Sequence, residues 1–207
     1  MSIGLSKLTV QNLFSDRQSA VVDSDVVSGH KNPLHLKFPE RLREILGAAN
    51  KSQRVISELT GLPRTSICAW EGGIAFPRLD RAERLAIALG VKPSWLAYGP
   101  EGAFRFRQRR TLPVAARIFP APSLRSAIDL PLGADQLAQR VKLAREQLGL
   151  SLRALGAAAG ASGQVVMMVE RGNPPLINTV EALAVALDVS PGWLAFGDGE
   201  GPETWAN

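Results

Sequence analysis

A duplicated unit constrains this chain more than any other feature. Pro93-Ser94-Trp95-Leu96-Ala97-Tyr98-Gly99 recurs as Pro191-Gly192-Trp193-Leu194-Ala195-Phe196-Gly197, and Ala86-Ile87-Ala88-Leu89-Gly90-Val91 matches Ala184-Val185-Ala186-Leu187-Asp188-Val189. Further back, Ser52, Gly61 and Glu71 match Ser151, Gly160 and Glu170 at one constant offset, and a one-residue length difference falls between Gly73 and Pro77. The chain therefore holds two copies of a unit of about 60 residues, near the lower size limit for a domain that folds alone.

Each copy reads as five short helices, which makes the fold all-α. In copy one Pro39 suits a first helical turn, and Leu42, Ile45, Leu46 and Ala49 form an apolar stripe. Ser52 is placed to cap a second helix carrying Val55, Ile56 and Leu59, which Gly61 stops. A third helix is predicted from about Arg64 to Trp70, ending at Gly72-Gly73. Asp80 is expected to cap a fourth with Leu85, Ile87 and Leu89 inward, and Pro93 or Ser94 opens a fifth. Copy two repeats the pattern with Val141, Ala144 and Leu148, then Leu152 and Leu155, then Val165, Val166 and Val169, then Val180, Leu183 and Leu187. The boundaries that follow are an arm at 1–37, copy one at 38–100, a linker at 101–133, copy two at 134–199 and a tail at 200–207.

The arm lacks sustained periodicity and reads as mobile or as a segment that pairs with a partner. The linker contains Pro113, Pro120, Pro122 and Pro131, and connections this long usually carry structure or function of their own. Within it Phe104-Arg105-Phe106-Arg107 alternates as a short strand would.

The informative spacing is Ser52-Gln53, then Gly61, then Ile67 and Glu71. Two helices that cross steeply need a turn of three or four residues, often with a glycine to take the left-handed backbone. Ile56 and Ile67 would then lie between the helices and fix the angle at which the later one projects. A helix so presented fits the major groove of DNA.

On these residues the sequence resembles the Cro/C1-type (XRE) helix-turn-helix family, over Ser52–Gly73 with Ala86–Gly99 and over Ser151–Gly172 with Ala184–Gly197. The resemblance implies two tandem lambda-repressor-like five-helix domains. It also implies that Gln53 contacts phosphate, that Arg64, Thr65 and Ser66 face base edges, and that Ala69 stands at a further base-facing position. Two departures stand out. Pro63 occupies the place of the usual Ser or Thr cap, so the third helix is open to a shifted start. Leu46 stands where the family often has an arginine paired with the helix-three glutamate; copy two keeps that pair as Arg145 and Glu170, whereas Glu71 needs another partner.

Charge separates the copies. Residues 39–100 hold nine basic and six acidic residues, a net of +3; the linker is +4, residues 134–207 are −3 and the arm is +1, which together give the chain its +5. Basic groups that displace cations from phosphates carry much of the affinity for DNA. Copy one is accordingly expected to bind DNA, with Arg64 bidentate to guanine, or else on a phosphate or solvated, and with Arg43, Arg78 and Arg81 on phosphates or as plain surface charge. The linker residues Arg105, Arg107, Arg109 and Arg110 would follow the backbone or enter a minor groove, or simply be solvated. The corresponding positions of copy two, Ser162, Gly163, Gln164, Met167 and Met168, offer little beyond Gln164 for base-edge hydrogen bonding. Copy two is expected mainly to dimerise or to bind a protein partner, as exposed methionine suits an adaptable surface, with DNA binding by both copies as the alternative. Trp70, Trp95 and Trp193 read as core residues, and Cys68 as a small packing residue.

Other classes find little support. No apolar run reaches the ~18 residues of a membrane span, and the N-terminus does not read as a secretion signal. A single cysteine fits a reducing cytoplasm, and the family resemblance implies a bacterial or phage setting. His30 and His35, the only histidines, have no ligand-type neighbour at metal spacing, so neither a metal nor another cofactor is expected. No nucleophile with a base, paired-carboxylate site or phosphate loop is present, and Asp16, Asp23, Asp25, His30 and His35 gather only in the unpatterned arm, so the chain does not read as an enzyme. The expected function is a double-stranded DNA-binding transcriptional regulator, a repressor, acting as a homodimer on half-sites about 34 Å apart. The alternative is an antitoxin or anti-activator that uses the same folds to bind protein.

Overall fold

A computed structural model describes residues 33–104, 136–199 and 201. Copy one contains α1 (Phe38–Ala48), α2 (Gln53–Thr60), α3 (Arg64–Glu71), α4 (Leu79–Leu89) and α5 (Pro93–Tyr98), preceded by a 3-10 turn at Leu34–Lys37 and followed by another at Pro100–Ala103. Copy two contains α6 (Leu137–Gln147), α7 (Leu152–Ala158), α8 (Gly163–Glu170), α9 (Ile177–Ala186) and α10 (Pro191–Phe196). Among the described residues there is no strand, and no single helix is long and apolar enough to cross a membrane.

Local chemistry sets most boundaries. The Ser52 and Ser151 hydroxyls accept from the Val55 and Ala154 amides and start α2 and α7. Gly61, at φ 68°, ends α2 in the left-handed conformation that an L side chain strains to reach. Pro63 lacks a capping side chain, yet α3 begins at Arg64, the same position at which α8 begins at Gly163, so the helix start is not displaced. Asp80 is not the cap of α4. Arg78 holds that position, Asp80 lies in the first turn, and its buried Oδ1 has no hydrogen-bond partner.

One apolar core runs through both copies, from Phe38, Leu42, Ile56, Ile67, Leu85 and Leu96 to Val141, Leu155, Val166, Leu183 and Leu194. Trp70 is buried in it, and Trp95 and Trp193 pack against it. Four expectations fail because the helices are short and neighbours cover only part of each: Val55 and Leu59 stay 40% exposed, Val165 37% and Leu148 52%. Each copy also buries one arginine. Arg41 Nε and Nη2 donate to the Leu96 and Ala97 carbonyls, and Arg140 donates in the same way to Leu194 and Ala195, tying the first helix of each copy to its fifth. Burial lowers the Arg41 pKa to about 10, with Glu181, Glu101 and Glu40 working in the opposite direction.

The copies meet through equivalent residues. The Leu79 amide donates to the Pro175 carbonyl at 2.8 Å, the Ile177 amide donates to Pro77 at 3.2 Å, and Arg78 and Leu176 form an antiparallel bridge between them. Residues 77–79 and 175–177 are matching positions of the repeat, so these contacts are reciprocal, as across a two-fold axis. The axis passes again between Ser94 and Gly192, also matching positions, where a side chain on Gly192 would meet the Ser94 Cβ at 3.3 Å and the Gly102 carbonyl oxygen at 2.9 Å. Around it lie less symmetric bonds: Tyr98 Oη to the Ile177 carbonyl, Arg78 Nε to the Pro174 carbonyl, and Ser94 Oγ to Asp198.

The last residues of the arm take part in this contact. Leu34 and His35 are buried, and both their amides, together with His35 Nδ1, hydrogen-bond to the fully buried Glu181 carboxylate on α9. Burial alone would raise that carboxyl, but the bonds from His35 and the Leu34 amide outweigh it and hold Glu181 below the usual carboxylate range.

Candidate nucleic-acid interface

The presenting device is the pair of helices that cross at the glycine turn. In copy two, α7 and α8 turn through 112° at their junction, within the range of a helix-turn-helix. In copy one, Ile56 from α2 and Ile67 from α3 are both fully buried between the crossing helices, as expected from their spacing. The turn is braced by side chains: Ser57 Oγ donates to the Leu62 carbonyl, and Thr60 Oγ1 donates to Ile56 and accepts from the Leu62 amide. The result is an α3 anchored through Ile67 and Trp70, with Arg64 and Thr65 of its first turn exposed.

That turn carries the residues expected to face bases. Arg64 and Thr65 are exposed, and Ser66 and Ala69 are half-buried on the side nearer the core. Arg64 has no ion partner among the described residues. Gln53, at the start of α2, reaches α3 instead of standing alone: its Nε2 donates to Glu71 Oε2 at 2.5 Å, and Cys68 Sγ donates to its Oε1. An amide nitrogen has two donors, so one N–H of Gln53 is left for a further acceptor.

These contacts answer one open question. Glu71, deprived of an arginine by Leu46, takes Gln53 as its partner. In copy two the expected pair is present, with Arg145 Nε and Nη2 on Glu170 at 2.6 and 3.1 Å, and that bond raises the Arg145 pKa above its ordinary value. Cys68, by contrast, is exposed on α3 rather than packed, because it sits on the helix face that meets Gln53.

The expected phosphate contacts are spread out. Arg43 on α1 and Arg81 on α4 are exposed and have no ion partner among the described residues. Arg43 lies beside Gln53, Cys68, Glu71 and Gly72, around a shallow depression at the α2–α3 crossing. Arg78 stands at the pseudo-two-fold axis with its guanidinium on Pro174. Arg41, one of the nine basic residues counted for copy one, is locked in the core and offers no charge to a phosphate. Arg105, Arg107, Arg109 and Arg110 lie outside the described residues, as do Asp16, Asp23, Asp25 and His30.

In copy two Ser162 is the cap of α8, its hydroxyl accepting from the Val165 amide. Gly163 has a packing reason: a Cβ there would lie 3.0 Å from the Arg153 Cα, and one on Gly156 would lie 2.6 Å from the Ser162 carbonyl carbon. The two glycines let α7 and α8 approach closely. Gln164 is exposed, and Met168 is 40% exposed with Asn173 bonded to its carbonyl. The sequence reading missed Glu181 and the 77–79 contact. A glutamate between Val180 and Ala182 in an apolar run was the available signal for the first.

The family model described as Helix-turn-helix matches residues 42–96 and again residues 141–194, more than half of the chain. No curated protein and no solved structure matches it. With two copies of the crossing-helix device in place and two matches to the model, the chain belongs to the Cro/C1-type (XRE) helix-turn-helix family of DNA-binding regulators.

Proposed function

We propose that this chain is a sequence-specific transcriptional regulator, acting as a repressor, that reads the major groove of double-stranded DNA with α3. The observation that carries the reading is Arg64: an exposed guanidinium without an ion partner among the described residues, on the first turn of a helix held by two buried isoleucines. Such a group can bond the O6 and N7 of guanine together. Thr65 and Ser66 follow it, Ala69 comes one turn on, and Gln53, Arg43 and Arg81 are the proposed phosphate contacts. Arg78, bonded to Pro174, is the weakest of the phosphate candidates.

A second reading has its own observation. Val165, Met168 and Leu148 leave apolar area open on copy two at 37%, 40% and 52% exposure, which favours a protein-binding role such as that of an antitoxin or anti-activator. Selection of bound sequences from random DNA separates the two. The regulator enriches a motif, and Arg64→Ala erases the preference at one base pair; a pure protein binder enriches none.

A further inference from the structure

The net charge of −3 on residues 134–207 is not carried by the helix-turn-helix of copy two. Over the helix-turn-helix stretch itself, residues 137–173 hold five basic against two acidic residues, a net of +3, while the matching residues 38–74 hold five against four, a net of +1. The acids that make copy two negative stand elsewhere. Glu181 is buried against His35, Asp198 meets Ser94 and Lys92, and Asp188 follows α9; Asp135, Glu200 and Glu203 lie outside the described residues. Of the two acids in the stretch, Glu170 is held by Arg145.

Arg140 and Arg145 of that stretch are held, by the Leu194 and Ala195 carbonyls and by Glu170, which leaves Lys142, Arg153 and Arg171 exposed. On α2, Arg54 pairs with Glu58 one turn on; at the matching place on α7, Arg153 has Ala157 one turn on and no ion partner among the described residues. Arg171, just after α8, is exposed, and Gln164 is exposed at the position that matches Thr65. A glutamine so placed can bond the N6 and N7 of adenine.

The reciprocal contacts between the copies are compatible with both devices meeting one ligand. A two-fold rotation preserves the component of any direction along its axis, so the faces of α3 and α8 share whatever tilt they have toward the axis end at Arg78 and Leu176. Arg78 lies seven positions beyond Glu71, and Leu176 lies six positions beyond Glu170. At ~3.5 Å per residue the helix ends lie within about 50 Å of each other, a bound that contains the ~34 Å between successive major grooves.

We infer that one chain occupies both halves of a single operator, with α3 reading the first half through Arg64 and α8 reading a different second half through Gln164, held by Arg153 and Arg171. The chain is then its own dimer, on a site whose halves differ in sequence. A homodimer would have to form through another surface, since the faces around 77–79 and α5 are taken by 175–177 and α10. The inference rests on the proposal that α3 reads DNA.

The test is hydroxyl-radical footprinting, with native mass measurement of the complex, on a duplex that the full chain selects from random sequence. The expected result is one chain per duplex and protection of two segments about one helical turn apart. Replacing Gln164 and Arg153 together by Ala should weaken binding about tenfold and relax preference in the second segment alone, while Arg64→Ala relaxes the first. Both copy-two residues are exposed, so the variant keeps the fold. Protection of one segment by one chain, two segments that require two chains, or a Gln164/Arg153 variant that binds like the parent would each overturn the inference and leave the reading by α3 standing. Failure to bind any duplex would remove both.

Discussion

At the scale of single residues, the account assigns opposite duties to two arginines that look alike in sequence. Arg41 is spent on three backbone carbonyls, of Leu34, Leu96 and Ala97, and Arg41→Ala should cost about 1–3 kcal/mol of stability because those acceptors lose their donors inside the core. Arg64 is free, and Arg64→Ala should leave the melting curve in place while lowering affinity for the preferred sequence by about 1–3 kcal/mol; equal losses on all duplexes would make it a phosphate contact. Glu181 gives the chain an acid-sensitive joint. Its folded pKa lies below the ordinary value, so its contribution is complete above the unfolded pKa and disappears as pH falls through the folded one. Thermal melts taken from neutral pH downward through the carboxylate range should show stability falling in the parent and falling less in Glu181→Gln. Residue-level legibility was uneven. The Arg145–Glu170 pair was legible through the family resemblance, which implies an arginine paired with the helix-three glutamate at those positions. The Gln53–Glu71 pair was not, because a side chain assigned to phosphate was in reach of a carboxylate left without its arginine.

Elements were legible where turn chemistry marks them and less so where a neighbour decides burial. Ser52, Gly61 and Ser151 announce their helices because a capping hydroxyl and a left-handed glycine each satisfy a local backbone requirement. Asp80 misled, since a residue suited to a cap is equally content in a first turn near the helix dipole. Apolar periodicity gave the face of α2 but overstated its width, as α3 covers Ile56 and leaves Val55 and Leu59 at the rim. The crossing of α7 and α8 is close enough to test with a single methyl group. Gly156→Ala places a methyl within 2.7 Å of the Gly163 nitrogen, so the helices must separate, and the variant should lose about 1–3 kcal/mol in chemical denaturation. The matching change in copy one, Ser57→Ala, removes a single hydrogen bond to Leu62 and should cost about 1 kcal/mol. Equal effects would mean that the two crossings are packed alike.

For the whole molecule, the repeat was the most legible feature and the way its copies join was the least. The joint at 77–79 and 175–177 is made by backbone groups, which no side-chain pattern records, and the arm was read as separate although Leu34 and His35 clasp Glu181. A shared core and shared hydrogen bonds should make both copies unfold together, so calorimetry should show one transition, and two resolved transitions would mean the copies are independent. The central claim is that this chain holds duplex DNA through basic groups around a projecting helix. Its most direct test is a fluorescence titration of the selected duplex across a series of salt concentrations. The account predicts affinity that falls steeply and linearly in log-log form as several phosphate-bound cations are displaced; affinity that is flat with salt, or absent at low salt, would contradict it.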